Sequence, residues 1–382
     1  MGFERATTRR QFLAAASALT AACKTKHVEG YRGCAYVALA GSRSVAVVDL
    51  STFSLRASIP LSFAPAAIMP HPDPAKPLAF VSGEADSGQG VVELADLTAR
   101  RLSARILTGR GQPVARTIVH PKVRGQLWTA AGEPFLRSWS ETKLAASGQV
   151  AMAGRVRDFD ICPETAIACA CLEGGLVQFV DLAAGRAWEP AKAGSDASWV
   201  RFRDDGRVAL VACRSESLLR VFDTESRQVM TELPLALRPD HLCVKSDGGE
   251  MFITGEGRDA VVIVYPFHTE VAKTSLSGRK PGQMACTSSP AYLFVSNPSV
   301  GSVTVFDIET RRVVAVTGVG VEPGAIVITP DEQYALVLNR ASGDIAVIRT
   351  AAINPKRAKR APLFTMIPVG GQPVAAIVRA AS

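Results

Sequence analysis

The sequence predicts an all-β chain built from one repeated unit of short antiparallel strands. A strand pattern that ends in Asp, such as Val47-Val48-Asp49-Leu50, recurs along the chain. Close and degenerate copies end at positions 49, 96, 140, 181, 223, 266, 307 and 349, which are 41 to 47 residues apart. Each period holds four segments of alternating apolar and polar residues with Gly or Pro between them, which is typical of strands joined by turns. Four strands in a period of this length indicate the blade of a β-propeller.

The strands of one period follow in a fixed order. In the clearest copy the first strand begins at Pro323, the second at Tyr334 and the third at Gly343. The fourth strand is clearest in the preceding period, from Arg311. Their enrichment in β-branched residues favours strands over helices.

The two ends of the chain predict how the ring closes. The segment from Gly33 matches a second strand and lacks a first strand before it, whereas the segment from Gly371 matches a first strand with nothing after it. The C-terminal strand should therefore complete the N-terminal blade, which protects the edges of that blade. Eight third strands predict eight blades, and an irregular segment at 125–150 would reduce the number.

Several motifs in the later periods resemble a known family. "FVSN" at 294–297, "LVLN" at 336–339 and "GSVTVFDIETRRVV" at 301–314 are similar to the YVTN β-propeller repeats, and the resemblance extends from about Tyr31 to the end of the chain. It implies the propeller fold, with seven blades as the commoner number. It implies no single function, because such repeats occur in surface, binding and enzyme proteins.

The first 22 residues are predicted to be an export signal. The apolar run 12–22 is too short for a membrane helix, which needs about 20 apolar residues, and it fits the apolar part of a secretory signal. The motif at 8–13, "TRRQFL", resembles the twin-arginine export signal, which implies export of an already folded protein. Residues 23–30 then form a polar tether, and residues 31–382 form one propeller domain.

The site at which the leader is cleaved has two interpretations. "LTAAC" looks like a lipoprotein signal in which Cys23 is lipidated, whereas cleavage after Ala18 or Ala22 would release a soluble protein. The chain is predicted to work in the periplasm, or as a membrane-anchored lipoprotein that faces the periplasm, with Cys23 as the possible tether.

The charge distribution argues against a nucleic-acid-binding protein. The net charge is +8, of which the leader contributes +2 and the run at 356–360 contributes +4. The nearly neutral remainder gives weak support for a phosphate-binding face. The basic run contains Lys356, Arg357, Lys359 and Arg360 and is interpreted as a solvated loop. The alternative is a patch for an acidic partner protein or an anionic membrane.

The cysteines are predicted to be free and buried. Seven remain after Cys23, an odd number that does not indicate a disulfide framework. Cys169 and Cys171 should share one face of a strand as core residues, and the alternative is a soft-metal or redox pair.

His71 and His120 occupy the same position of their repeats, just after the first strand. The other repeats have Cys162, Arg203, Lys245, Thr287 and Thr329 there. This variety predicts an exposed turn, and the alternative is a metal or haem ligand pair.

The first strands of a propeller are innermost and line its channel. Aligned on one position, they give Ala67, Arg116, Asp158, Trp199, His241, Gln283, Ala325 and Ala375. The loops before them add Arg110, Arg155, Arg157, Arg238, Arg279 and Lys280. The five polar or aromatic positions belong to consecutive blades and predict a basic, mixed-polar pocket for an anionic or polar small ligand. The alternative is a water-filled channel without a ligand.

No enzyme motif, metal site or cofactor site is predicted, and no residue is assigned a catalytic role. We expect a monomeric, non-catalytic binding or scaffold protein that presents its loops and channel mouth to a protein partner or a small anionic ligand. The alternative is a propeller-type enzyme, such as a lactone hydrolase, or a subunit of a periplasmic redox complex. An enzyme should bring several acidic or His side chains together, and only Asp158 and His241 are predicted at the channel mouth.

Overall fold

A computed structural model describes residues 30–111, 113–118, 125–353 and 361–380, with the backbone alone at 115–118. The strands of these residues form eight antiparallel sheets arranged as the blades of a ring. The all-β architecture and the number of eight blades are therefore confirmed. The compact unit is Tyr31–Ser382.

The strand bounds are given blade by blade. Blade 1 contains β1 (Gly33–Leu39), β2 (Ser44–Asp49), β3 (Ser54–Pro60) and the last strand, β33 (Pro373–Ala380). Blade 2 contains β4 (Ala64–Pro70), β5 (Leu78–Glu84), β6 (Gln89–Asp96) and β7 (Arg101–Arg110). Blade 3 contains β8 (Val114–Ile118), β9 (Gln126–Ala130), β10 (Phe135–Ser140) and β11 (Ala146–Ala151). Blade 4 contains β12 (Val156–Ile161), β13 (Ile167–Leu172), β14 (Leu176–Asp181), β15 (Arg186–Ala187) and β16 (Ala191–Lys192).

The remaining blades follow the same order. Blade 5 contains β17 (Ala197–Phe202), β18 (Val208–Cys213), β19 (Leu218–Asp223) and β20 (Val229–Pro234). Blade 6 contains β21 (Arg238–Val244), β22 (Met251–Glu256), β23 (Ala260–Tyr265) and β24 (Glu270–Leu276). Blade 7 contains β25 (Met284–Cys286), β26 (Tyr292–Asn297), β27 (Ser302–Asp307) and β28 (Arg312–Gly318), and blade 8 contains β29 (Pro323–Ile328), β30 (Tyr334–Asn339), β31 (Asp344–Arg349) and β32 (Leu363–Pro368). Two 3-10 turns, Pro298–Val300 and Thr350–Ala352, interrupt this pattern.

The ring closes as the two ends of the sequence predict. Strand β33 pairs antiparallel with β1, from Gly33 opposite Ala380 to Ala38 opposite Ala375. The chain terminus thereby supplies the inner strand of the first blade. This closure covers the edge of β1 that would otherwise be open to pairing with another chain.

The hydrophobic core is divided into layers between neighbouring blades. The described residues form eight clusters of buried side chains, one at each junction of the ring. Tyr334 and Leu336 of blade 8, for example, pack with Val37 and Val48 of blade 1. The second and third strands are apolar on both faces because each blade is covered on two sides.

The recurrent Asp of the repeat has a structural cause. At the end of the third strand its carboxylate accepts hydrogen bonds from backbone N–H groups of the turn that follows. Asp96 Oδ1 accepts from Thr98 N and Ala99 N at 3.0 and 2.8 Å, and Asp307 Oδ1 accepts from Thr310 N at 2.7 Å. An Asp at this position fixes the tight turn into the outer strand.

Blade 3 is regular, whereas blade 4 differs from the other blades. Blade 3, which includes the segment 125–150, has four strands, so the number of blades is not reduced. In blade 4 the outer strand is split into β15 and β16, which pair with opposite ends of β14. Pro190 lies between the two parts and cannot donate to a ladder. The Gln178 side chain instead donates to the Trp188 carbonyl oxygen at 2.7 Å.

The position shared by His71 and its counterparts is mostly buried, so the predicted exposed turn was wrong. His71 is 3 % exposed, and Cys162, Thr287 and Thr329 are each 1 % exposed. The side chains satisfy backbone groups of the turn: His71 Nδ1 accepts from Asp73 N at 3.0 Å, and Thr329 Oγ1 accepts from Tyr334 N at 3.1 Å. His120 lies outside the described residues.

Candidate functional site

The first strand of each blade is the inner edge of its sheet. The aligned positions all lie on or beside these strands: Ala67 on β4, Arg116 on β8, Asp158 on β12, Trp199 on β17, His241 on β21, Gln283 just before β25, Ala325 on β29 and Ala375 on β33. Seven of the residues lie at equivalent points of the ring, but the alignment was wrong for Arg116. Ala67 pairs with Ser82, the counterpart of Ala130 in blade 3, and the residue opposite Ala130 is Val114, two residues before Arg116.

Six of the described inner strands carry a β-bulge beside the aligned residue, in blades 1, 2, 4, 5, 6 and 8. Those of blades 4, 5 and 6 concern the candidate site. The register shifts between Val156 and Asp158 on β12, between Ala197 and Trp199 on β17, and between Pro239 and His241 on β21. Each shift leaves one extra residue, namely Arg157, Ser198 and Asp240. A bulge bends its strand and changes the direction of nearby side chains. Blades 4, 5 and 6 consequently present two consecutive residues each to the same space.

That space is a cavity of about 420 Å³, called the polar cavity below. It brings together four of the predicted site residues, Asp158, Trp199, His241 and Gln283, from blades 4 to 7. Its full lining is Arg157, Asp158, Ser198, Trp199, Arg201, Asp240, His241, Leu242, Gln283 and Met284. A second cavity of about 470 Å³ shares Asp240 and His241 with it and extends to Glu256, Arg258, Asp259 and Lys280.

Asp158 connects two inner strands at the wall of the polar cavity. Its side chain is buried, and Oδ2 accepts from Val200 N at 3.1 Å and from Arg201 Nη1 at 2.8 Å. Asp160 Oδ2 accepts from Phe202 N at 2.9 Å in the same way. The two carboxylates satisfy N–H groups of an inner strand that has no further strand beyond it.

Arg201 is a lining residue that the sequence alignment missed. It lies two residues after Trp199 on β17, and residues two apart in a strand share a face. Alternation around Trp199 would have identified it. Its guanidinium, 28 % exposed, is paired with Asp158.

The described lining is balanced in charge rather than basic. Besides Arg201, Arg157 is paired with Asp196 at 2.5 Å, and the carboxylate of Asp240 is paired with Arg214 at 2.5 Å. The predicted Arg238 is 58 % exposed and lies 4.0 Å from Glu256. Arg110 and Arg279 are exposed and line neither cavity, and Arg116 lies in β8 where only the backbone is described.

His241 and Trp199 each present a polar nitrogen without a partner. In the described part of the chain the half-buried imidazole of His241 makes no hydrogen bond, and the buried Nε1 of Trp199 has no acceptor. Burial lowers the pKa of His241, and the nearby Asp240 carboxylate only partly opposes this effect. The imidazole is therefore neutral at pH 7 and keeps a free lone pair.

Several predicted features belong to other parts of the chain than those described. The leader, Cys23 and the basic run with Lys356, Arg357, Lys359 and Arg360 lie outside the described residues.

Within the described ranges, no three His, Cys, Asp or Glu side chains are grouped so that they could hold a metal ion. No described helix has the length and apolar character needed to cross a bilayer.

The buried Cys169 and Cys171 lie on one face of β13, in the core between blades 4 and 5. Burial raises the pKa of both thiols well above the ordinary value. Both residues lie in the hydrophobic core, as the sequence predicts.

Comparison with known proteins gives a likeness in structure only. No protein-family model matches the chain, and no curated protein matches it in sequence. One similar solved structure is "Dihydro-heme d1 dehydrogenase NirN in complex with DHE", with 15% identity, a TM-score of 0.71, and coverage of 91% of this chain and 75% of that chain. Another is hydrazine synthase of Kuenenia stuttgartiensis, with 14% identity, a TM-score of 0.52, and coverage of 68% of this chain and 87% of that chain. Together with the eight sheets, these similarities establish that the chain has the fold of an eight-bladed β-propeller.

Proposed function

We propose that this chain is an exported, non-catalytic binding protein whose polar cavity holds a small anionic ligand with a flat ring system, of the tetrapyrrole carboxylate class. The observation that carries the proposal is the convergence of Asp158, Trp199, His241 and Gln283 from four consecutive blades on one cavity. Its volume of about 420 Å³ is within the range of small-molecule sites, roughly 300–1,000 Å³.

The side chains at the cavity support this ligand class. Each guanidinium has five N–H donors, so Arg157 and Arg201 can donate to a ligand carboxylate while they remain paired with Asp196 and Asp158. The indole of Trp199 offers an aromatic surface for a ring. The free lone pair of neutral His241 would suit the metal of a metallated tetrapyrrole. A metal centre of this kind would supply redox or ligand-binding chemistry when bound.

The name of one structural neighbour is consistent with this choice. This neighbour is a dehydrogenase named for dihydro-haem d1 and was solved in complex with DHE. Asp158 is hydrogen-bonded to Val200 N and Arg201, which favours a structural role over that of a general base.

The proposal also includes export through the leader, attachment through Cys23 and a monomeric state. It further includes contact of the basic run with an acidic partner or a membrane.

Titration of the purified protein with haem and with metal-free protoporphyrin tests the proposal. We expect saturable one-to-one quenching of tryptophan fluorescence by both compounds, and a shift of the haem absorption band. Trp199→Leu should weaken both affinities about tenfold, which corresponds to about 1.4 kcal/mol. His241→Ala should abolish the haem band shift and leave metal-free porphyrin binding within about threefold of the wild type, a change below 1 kcal/mol.

His268→Ala is the matched control, because His268 is exposed and lines neither cavity. It should leave both titrations unchanged. Equal effects of His241→Ala and His268→Ala, or the absence of saturable binding, would refute the proposed ligand site.

A further inference from the structure

Two cysteines that are 43 positions apart in the sequence meet between blades 6 and 7. Cys243 lies on β21 and Cys286 ends β25, and both side chains are half-buried. The Cys243 thiol points to Cys286 with a distance of 3.7 Å between the Sγ atoms. We propose that Cys243 and Cys286 form a reversible disulfide that links the inner strands of blades 6 and 7.

The positions of the two sulfur atoms suit bond formation. A distance of 3.7 Å is van der Waals contact for two thiols, and the two sulfur atoms have to approach further to reach the length of a disulfide, about 2.05 Å. Both sulfur atoms also lie near the same carbonyl oxygen, that of Val244, at 4.0 Å from Cys243 and 3.6 Å from Cys286. This shared neighbour holds the two thiols on one side of the junction.

The other described cysteines have no such arrangement. Cys162, Cys169, Cys171 and Cys213 are buried, at 0 to 1 % exposure. Cys34 is partly exposed, and no second cysteine lies at hydrogen-bonding distance from it among the described residues. Accessibility and proximity are therefore combined at Cys243 and Cys286.

Cys286 is the thiol that should react first. The Cys243 thiol hydrogen-bonds to its sulfur and lowers the pKa of Cys286, an effect that outweighs burial and the Glu332 carboxylate, which raise it. Thiolate attacks a disulfide faster than thiol does.

The oxidation is a thiol–disulfide exchange with a small disulfide as the oxidant. The Cys286 thiolate attacks one sulfur of the oxidant, a mixed disulfide forms, and the first oxidant thiolate leaves. Cys243, after losing its proton, then attacks Cys286 Sγ and releases the second oxidant thiolate. The protein loses two electrons and two protons, and the oxidant becomes two thiols.

The disulfide would join the strands that carry His241 and Gln283. His241 precedes Cys243 by two residues on β21, and Gln283 precedes Cys286 by three residues. Its effect on the polar cavity rests on the proposed ligand site, whereas disulfide formation itself does not. The following experiment measures the bond directly and does not use a ligand.

The reduced full-length protein is incubated with oxidised glutathione, alkylated under native conditions, digested without reduction and mapped by mass spectrometry. We expect a peptide pair linked through Cys243 and Cys286, and the loss of both residues as alkylation sites. The midpoint of urea unfolding should rise after oxidation and return after reduction. If both cysteines remain alkylated after incubation, or are linked to other cysteines, the proposal is refuted.

Single variants test the order of the reaction. Cys243→Ser should accumulate a glutathione mixed disulfide at Cys286, several-fold more than Cys286→Ser accumulates at Cys243. Cys34→Ser is the control and should form the linked pair as the wild type does. Loss of the linked pair in Cys34→Ser would contradict the assignment to Cys243 and Cys286.

Discussion

At the scale of single residues, Asp158 joins two neighbouring inner strands at the wall of the polar cavity. It is buried, and it accepts hydrogen bonds from the backbone of the next inner strand and from Arg201. Asp160, two residues further along the same strand, likewise accepts a hydrogen bond from the backbone of Phe202. The wall between blades 4 and 5 is therefore held by carboxylates rather than by a strand ladder.

We expect Asp158→Asn to lower the free energy of unfolding by about 1.5–3 kcal/mol, the value of a hydrogen bond to a charged group. The loss of charge removes the carboxylate that pairs with the partly buried Arg201 guanidinium and leaves only the weaker effect of Asp160. Urea denaturation followed by circular dichroism measures the change.

Asp196→Asn is the matched control for that variant. Asp196 pairs with Arg157, whose side chain is 43 % exposed, so its loss should cost less than about 1 kcal/mol. Equal destabilisation by the two variants would show that the buried pair has no special role.

At the scale of the elements, the β-bulges position the site. In blade 6, Gly255 on β22 lies opposite Pro239, immediately before the bulge that presents Asp240 and His241. A Cβ at Gly255 would lie 1.8 Å from the backbone oxygen of Arg238. Blade 2 has the same arrangement, because Gly83 lies opposite Pro65 and a Cβ there would lie 2.1 Å from the Ala64 oxygen.

These two glycines allow a paired prediction. Both Gly255→Ala and Gly83→Ala should destabilise the fold, since the clash is with backbone and cannot be relieved by a side chain. Only Gly255→Ala should weaken porphyrin binding, by tenfold or more, because blade 6 contributes to the polar cavity and blade 2 does not. Unfolding and fluorescence titrations on both variants separate the two effects, and equal affinities would contradict the role of the bulge.

The elements also show which features a sequence can predict. The strands, the turn carboxylates and the aligned positions of the inner strands follow from alternation and from the repeat, so Asp158, Trp199, His241 and Gln283 could be placed together. The bulges at Arg157, Ser198 and Asp240 are harder to predict from the sequence, because the same extra residue recurs in six blades and leaves the period unchanged.

Burial and pairing were harder to predict than position. His71 was expected in an exposed turn, yet its ring is buried and accepts a backbone hydrogen bond, which no residue-type pattern indicates. The arginines at the cavity were expected to make it basic, but their Asp partners come from other strands and loops. One feature of the sequence could have indicated that Cys243 and Cys286 lie close together, namely that their separation equals one repeat.

At the scale of the whole molecule, the ring is asymmetric. Blades 4 to 7 contribute the polar lining, whereas blades 1, 2 and 8 carry Ala375, Ala67 and Ala325 at the equivalent positions. Eight similar blades thus build one site on one side of the ring.

A crystal structure of the protein grown with haem, with an anomalous difference map collected at the iron edge, examines this site most directly. We predict one iron peak in the polar cavity beside His241, with ring density against Trp199. A peak at another surface of the propeller, or a cavity that contains only water at saturating haem, would contradict the assignment of this cavity as the binding site.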